Sequence, residues 1–157
     1  MNATGSGEGD ERIMRRALEL AESAAGHGDV PIGAVVARGE EILGEAGNER
    51  ELRSDPTAHA EILALRQAAE RLGGWRLPGT TIYVSLEPCV MCAGAISLAR
   101  VPRLIYAASD LKGGATGGVL DLYQRPLSGL NHAPLVESGL LAAESAALLE
   151  SFFAARR

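Results

Sequence analysis

The segment TTIYVSLEPCVMCAGAISLAR, residues 80–100, changes its hydrophobic pattern halfway along. Thr80–Leu86 alternates and is rich in β-branched residues, which predicts a strand. Pro88 suits the first turn of a helix, and the run to about Arg100 is apolar nearly all round until Pro102 forces a break. A strand that feeds straight into a buried helix is a building unit of an α/β domain. Cys89 and Cys92 stand at the junction, spaced i,i+3, so both sulfurs share one helix face. A helix N-terminus favours their thiolate forms, and the thiolate is the form that binds metal.

Upstream, a helix is predicted from about Ala58 to Leu72, ended by Gly73-Gly74, with Ile62, Leu65, Ala69 and Leu72 as its apolar stripe. Val30–Ala37 and Glu41–Ala46 read as an antiparallel hairpin about Arg38-Gly39-Glu40, and Gly47–Thr57 as a polar loop. A first helix is expected from Asp10, which can cap it, through Ile13, Ala17, Leu20, Ala21 and Ala24 to Gly26. Downstream come a strand at Arg103–Ala108, a loop at Asp110–Gly118, a short strand near Leu135–Glu137 and a last helix, roughly Leu141–Ala155. This order predicts a mixed sheet with helices on both faces. Residues 1–9 read as a flexible leader, and residues 10–157 as one domain.

With 157 residues, 46% hydrophobic and 22% charged, the chain has the makeup of a globular domain rather than a disordered or fibrous one. A domain of this size buries roughly 68–70% of its unfolded surface and needs no covalent staples. No apolar run approaches the ~20 residues that span a bilayer. The start, MNATGSGEGDER, has neither the basic nor the apolar region of a signal peptide, so the cytoplasm is the expected compartment. The net charge of −5, with fourteen arginines and Lys112 as the single lysine, does not indicate a general electrostatic grip on nucleic acid. A local basic patch remains open.

His59 and Glu61, in Thr57-Ala58-His59-Ala60-Glu61-Ile62, complete the chemistry. A lone histidine is more often structural than a ligand, and a CxxC pair alone can be a redox site or half of a zinc knuckle. A knuckle needs a fourth protein ligand, and His27 and His132 have no ligand-like spacing. A redox pair has no need of the upstream His-Ala-Glu. One His and two Cys suit Zn²⁺ and leave its fourth position free for water, the pattern of a catalytic site. Glu61 is the natural proton acceptor beside that water. Residues i and i+2 do not face each other within a helix, so His59 and Glu61 converge only if His59 sits in the frayed first turn. Together, H-x-E followed by P-C-x-x-C is the signature of zinc nucleobase deaminases.

At these residues the chain resembles the cytidine deaminase-like superfamily and, within it, the bacterial tRNA-specific adenosine deaminases. The likeness runs from about Glu11 to Arg157, through VPIGAV, Gly47-Asn48, DPTAHAEILALR, LEPCVMCAGA, DLKGGATGG, Asn131-His132 and LLESFFAARR. It implies a three-layer α/β/α fold with a mixed five-stranded central sheet. It further implies a homodimer that converts adenosine to inosine at the wobble position of a tRNA anticodon. Its zinc ligands carry over to His59, Cys89 and Cys92, its proton shuttle to Glu61, and a base-contacting Asn to Asn48. One Zn²⁺ per chain is expected, with a tRNA anticodon stem-loop as the partner. The alternatives are a deaminase of a free nucleobase or nucleoside, of guanine or cytosine type, and an inactive zinc module that only binds RNA or a partner. Glu61 speaks against the inactive module.

Asn48 after Gly47 also reads as an ordinary turn residue. Gly113–Gly118 does not fit a P-loop and reads as a flexible loop, with the preceding Lys112 as an RNA contact. Arg156 and Arg157 each follow a phenylalanine by four residues, Phe152 and Phe153. That places Phe153, Arg156 and Arg157 as RNA contacts, against the alternative that a phenylalanine is core and the arginines complement the helix C-terminus. The runs Val90–Ala99 and Leu104–Ala108 are apolar on more faces than one small core demands, which supports the expected dimer.

Overall fold

The computed structural model describes residues 7–124 and 129–156. Its elements are α1 (Glu8–Gly26), β1 (Gly33–Arg38), β2 (Glu41–Gly47), α2 (Arg50–Arg53), α3 (Ala60–Leu72), β3 (Thr81–Leu86), α4 (Val90–Leu98), β4 (Arg103–Ala108), β5 (Leu135–Ser138) and α5 (Ala142–Ala154). The expected order holds with one addition, the single-turn α2 inside the segment read as a polar loop. Helix α1 begins at Glu8, so the last two residues of the expected leader are helical, and residues 1–6 lie outside the described residues.

Asp10 does not cap α1. It is buried inside the helix, where it accepts hydrogen bonds from the Tyr83 hydroxyl at 2.6 Å and from the Arg103 guanidinium at 3.2 and 2.8 Å. Arg103 also donates to Glu137 at 2.7 Å, so one network ties α1 to β3, β4 and β5. A charged pair reached across the fold outcompetes the local capping that the sequence pattern suggests.

The sheet runs β2-β1-β3-β4-β5. Strand β1 is antiparallel to β2 and β3, whereas β3, β4 and β5 are parallel. Side chains alternate across it and divide the interior in two. Ala34, Val36, Ile82, Val84, Leu104 and Tyr106 pack with Ala64, Ala68, Ala93 and Ile96 of α3 and α4. Val35, Ala37, Tyr83, Ile105 and Ala107 pack with Ile13, Met14 and Ala17 of α1, beside which α5 lies. The result is three layers, α/β/α. Helices sit directly on the sheet where it lacks side chains: a Cβ on Gly33 would lie 1.9 Å from the Ala17 carbonyl oxygen, and one on Gly44 2.2 Å from that of Ala64.

Two expected faces differ. β4 is covered from Leu104 to Ala108 by both helix layers and two neighbouring strands, so its apolar excess is consumed within the chain. Helix α3 buries Ala60, Glu61, Leu63, Ala64, Leu65 and Ala68 rather than the whole of the predicted stripe. Ile62 and Ala69 instead border a shallow groove with Trp75, Ala95 and Leu98. The small alanines let α3 approach the sheet more closely, and that rotates the helix toward them.

Candidate active site

His59 and Cys89 are the N-cap residues of α3 and α4, both in extended backbone (φ −73° and −77°). Neither lies inside its helix, and that solves the spacing problem: His59 steps out of the helical repeat and can turn toward the same point as Glu61. Cys92 sits one turn into α4 and is fully buried. The His59 Nδ1 lies 3.6 Å from the Cys89 Sγ and 3.6 Å from the Cys92 Sγ. All three donor atoms fall within 4.8 Å of one another.

This triad fits a tetrahedral metal. With metal–sulfur and metal–nitrogen bonds of ~2.3 and ~2.0 Å, an N and an S ligand of zinc stand about 3.6 Å apart. The protonation chemistry points the same way. The Cys89 thiol is lowered to about 4 by the Cys92 thiol that donates to it and by His59 beside it. The Cys92 thiol is pushed up, because a second charge there would face the Cys89 thiolate, deep burial and Glu61. The His59 imidazolium is favoured by Cys89. The pair therefore loses one proton readily and holds the second until a cation arrives, as metal-coupled thiols do.

Glu61 is buried, 4% exposed, in the first turn of α3. Burial raises its carboxyl to about 7, helped by the negative charge at Cys89 and opposed by its own N–H. A carboxyl poised near neutrality beside a three-donor site, which would leave one tetrahedral position of a bound metal free, can both take and give a proton.

His59 and Glu61 line a cavity of about 660 Å³. Its walls come from Asn48 and Arg50 on one side, from Ser109 to Lys112 on another, and from Ala146, Leu149 and Phe153 of α5. Asn48 is buried; its Nδ2 donates to the Val30 carbonyl at 3.2 Å and its Oδ1 accepts from the Arg50 N–H at 3.1 Å. The turn role is thus real, yet an amide has a second donor and a second acceptor site for a base. Phe153 lines the cavity and is 47% exposed, whereas Phe152 is core. The Arg156 guanidinium lies 3.5 Å from the Phe152 ring centroid and donates to the Phe152 carbonyl. Arg156 therefore packs as the helix-end alternative describes, and Arg157 lies outside the described residues.

Two carboxylates in this region escaped the sequence reading. Asp29, fully buried, accepts from the N–H groups of Glu51 at 2.6 Å and Leu52 at 3.1 Å, and so holds α2 and with it the Asn48–Arg50 wall. Glu87 does similar work for the opposite wall. An acidic residue next to glycine- and proline-bearing loops was the available signal, but only the fold says which N–H groups it meets.

Comparison with known proteins agrees with this geometry. Residues 8–157 match the MafB19-like deaminase family. A tRNA-specific adenosine deaminase of Haemophilus influenzae is 48% identical over 96% of this chain and 86% of its own. The structure of a tRNA:A34 deaminase, studied for A-to-I editing at the wobble position of transfer RNA, superposes with a TM-score of 0.84 at 47% identity, covering 88% of this chain and 99% of that one. A guanine deaminase from Nitrosomonas europaea is more distant, with a TM-score of 0.76 at 30% identity over 92% of this chain and 84% of that one. A triad shaped for metal beside a buried acid, on a fold shared with these enzymes, places the chain in the MafB19-like deaminase family, among the tRNA-specific adenosine deaminases.

Proposed function

We propose that this chain hydrolyses adenosine to inosine at the wobble position of a tRNA anticodon, with one Zn²⁺ held by His59, Cys89 and Cys92. The observation that carries the reading is Glu61, buried beside the triad and lining the cavity next to it. Zinc, when bound, supplies a Lewis acid that makes water nucleophilic near neutral pH. Glu61 takes a proton from the attacking water and returns protons to the purine ring nitrogen and the departing amino group. A C–O bond forms at C6, the C–N bond breaks, and ammonia leaves. Asn48 holds the purine edge, and the target base enters cheaply because an anticodon loop is single-stranded.

The test assays free adenosine, guanine and cytosine beside an anticodon stem-loop carrying A34. Inosine formed in the stem-loop alone is expected; efficient deamination of a free base with no preference for RNA overturns the reading. For RNA contact the proposal relies on Phe153, Arg50 and Lys112, all bordering the cavity. A base stacked on an aromatic ring is worth ~1–3 kcal/mol, so Phe153→Ala should weaken stem-loop binding roughly 5- to 150-fold with unchanged zinc content. Unaltered affinity would remove Phe153 from the interface.

A second copy of the chain is proposed to cover the groove between α3 and α4. Trp75 is 55% and Leu98 66% exposed there, and the Arg76 and Arg100 guanidinium groups flank the indole at 4.4 and 5.7 Å. Aromatic and arginine side chains about an apolar centre are the makeup of protein interfaces. Light scattering at micromolar concentration should give twice the mass of one chain; a single-chain mass would contradict the dimer. No helix among the described residues is long and apolar enough to cross a membrane. The cytoplasm is proposed as the compartment because free thiolate ligands persist in a reducing environment.

A further inference from the structure

Glu87 and Pro88 separate β3 from the first cysteine, and Glu87 is buried, 2% exposed. Among the described residues no ion pair involves it. Its carboxylate is satisfied by main-chain N–H groups instead: Oε1 accepts from Asp110 at 3.1 Å, and Oε2 from Thr116 at 3.1 Å and Gly118 at 2.9 Å. The glycines make this approach feasible. A Cβ on Gly114 would lie 2.3 Å from the Glu87 carboxyl carbon, and one on Gly118 2.5 Å from Oε1. The Gly113–Gly118 run is therefore an anion nest, but the anion is the chain's own carboxylate. Main-chain bonds continue the seam, from the Glu87 N–H to the Ala108 carbonyl at 2.8 Å and from the Ala115 N–H to the Pro88 carbonyl at 2.9 Å.

The start of this loop, with Ser109 before it, forms one wall of the catalytic cavity through Ser109, Asp110, Leu111 and Lys112. We propose that Glu87 is a positioning residue whose buried carboxylate holds the 110–118 loop as the substrate-facing wall, and so sets substrate affinity without entering the chemistry. The substrate named in its test rests on the function proposed above; the loop anchoring does not. A carboxylate suits the task because it is acceptor-only, whereas a glutamine would turn an NH₂ group toward converging N–H donors. Hydrogen bonds to a charged acceptor are also the stronger kind.

Lys112 is the chain's single lysine, so a lysine-specific protease has one cleavage site, inside this loop. In Glu87→Gln, cleavage after Lys112 should be at least roughly tenfold faster than in the wild type, with zinc content unchanged. KM for the anticodon stem-loop should rise roughly ten- to hundredfold, the scale of losing a bond to a charged group, with kcat within a few-fold. Gly118→Ala, which crowds the same carboxylate, should give the same split. Wild-type cleavage in the folded variant overturns the proposal, as does a freed loop with unchanged KM. Loss of zinc also overturns it, because Glu87 would then serve Cys89 rather than the wall. Should the wild type ignore the stem-loop, the proposed function fails while the proteolysis still judges Glu87. Should neither variant fold, hydrogen exchange of the wild type decides: the Thr116 and Gly118 amides are expected to be protected by about a hundredfold or more, and free exchange there refutes the anchoring.

Discussion

Glu61→Gln is expected to cut turnover by at least ~10²–10⁴-fold, the usual worth of a general acid–base group, while the protein keeps its metal and its fold. The carboxamide has nearly the same shape but cannot carry a proton from the attacking water to the leaving amino group. More than the usual loss is expected because one side chain serves several transfers. In the metal-free protein the change should not lower the melting temperature. Glu61 is raised to about 7 in the folded chain from an ordinary carboxyl value near 4.5, mainly by burial. Above pH 7 it is ionised both folded and unfolded, and the folded state bears the full burial penalty; the penalty fades as pH falls toward the unfolded value. Replacing it with a neutral amide removes that penalty where it is largest. Turnover within a few-fold of wild type at normal zinc occupancy would take Glu61 out of the mechanism.

Cys92→Ala should abolish zinc binding at micromolar metal, and activity with it. Cys92 is fully buried and supplies one of three donors within 4.8 Å. Two remaining ligands do not make a zinc site, and the Cys89 thiolate is left with no partner charge but His59. Zinc in small structural sites contributes on the order of 10–16 kcal/mol, so even a fraction of that makes the wild type sensitive to a chelator. The variant should melt at a lower temperature than the zinc-loaded wild type and show no further fall on chelation. Metal analysis checks it directly: one zinc per chain in Cys92→Ala would refute the ligand assignment.

The candidate site residues are legible because their signals are local. Cys89 and Cys92 stand at a strand-to-helix junction, and His59 and Glu61 follow a Pro-Thr turn; each pair is positioned by a helix start that capping and periodicity disclose. The succession of helices and strands along the chain is legible for the same reason, since alternation and glycine or proline stops are properties of neighbouring residues. Bringing His59 within 3.6 Å of both sulfurs is different. That depends on α3 and α4 starting at the same side of the sheet, which the pairing of β1 with β3 arranges.

The sequence alone discloses a His/Cys/Cys set suited to a metal, an acidic residue beside it and an α/β frame, because residue type and short-range spacing suffice for each. The walls of the site belong to the tertiary structure. Asp10, Asp29 and Glu87 look alike as acidic residues in a sequence, yet one binds a guanidinium, one holds a short helix and one fills a glycine nest. Phe152 and Phe153 are adjacent, yet one is core and the other faces the cavity. The rotation of α3 onto its alanines, rather than onto its larger residues, has the same origin. A buried polar group must find a partner and a buried surface must be filled, and which distant backbone or side chain meets that demand is settled only when the layers close.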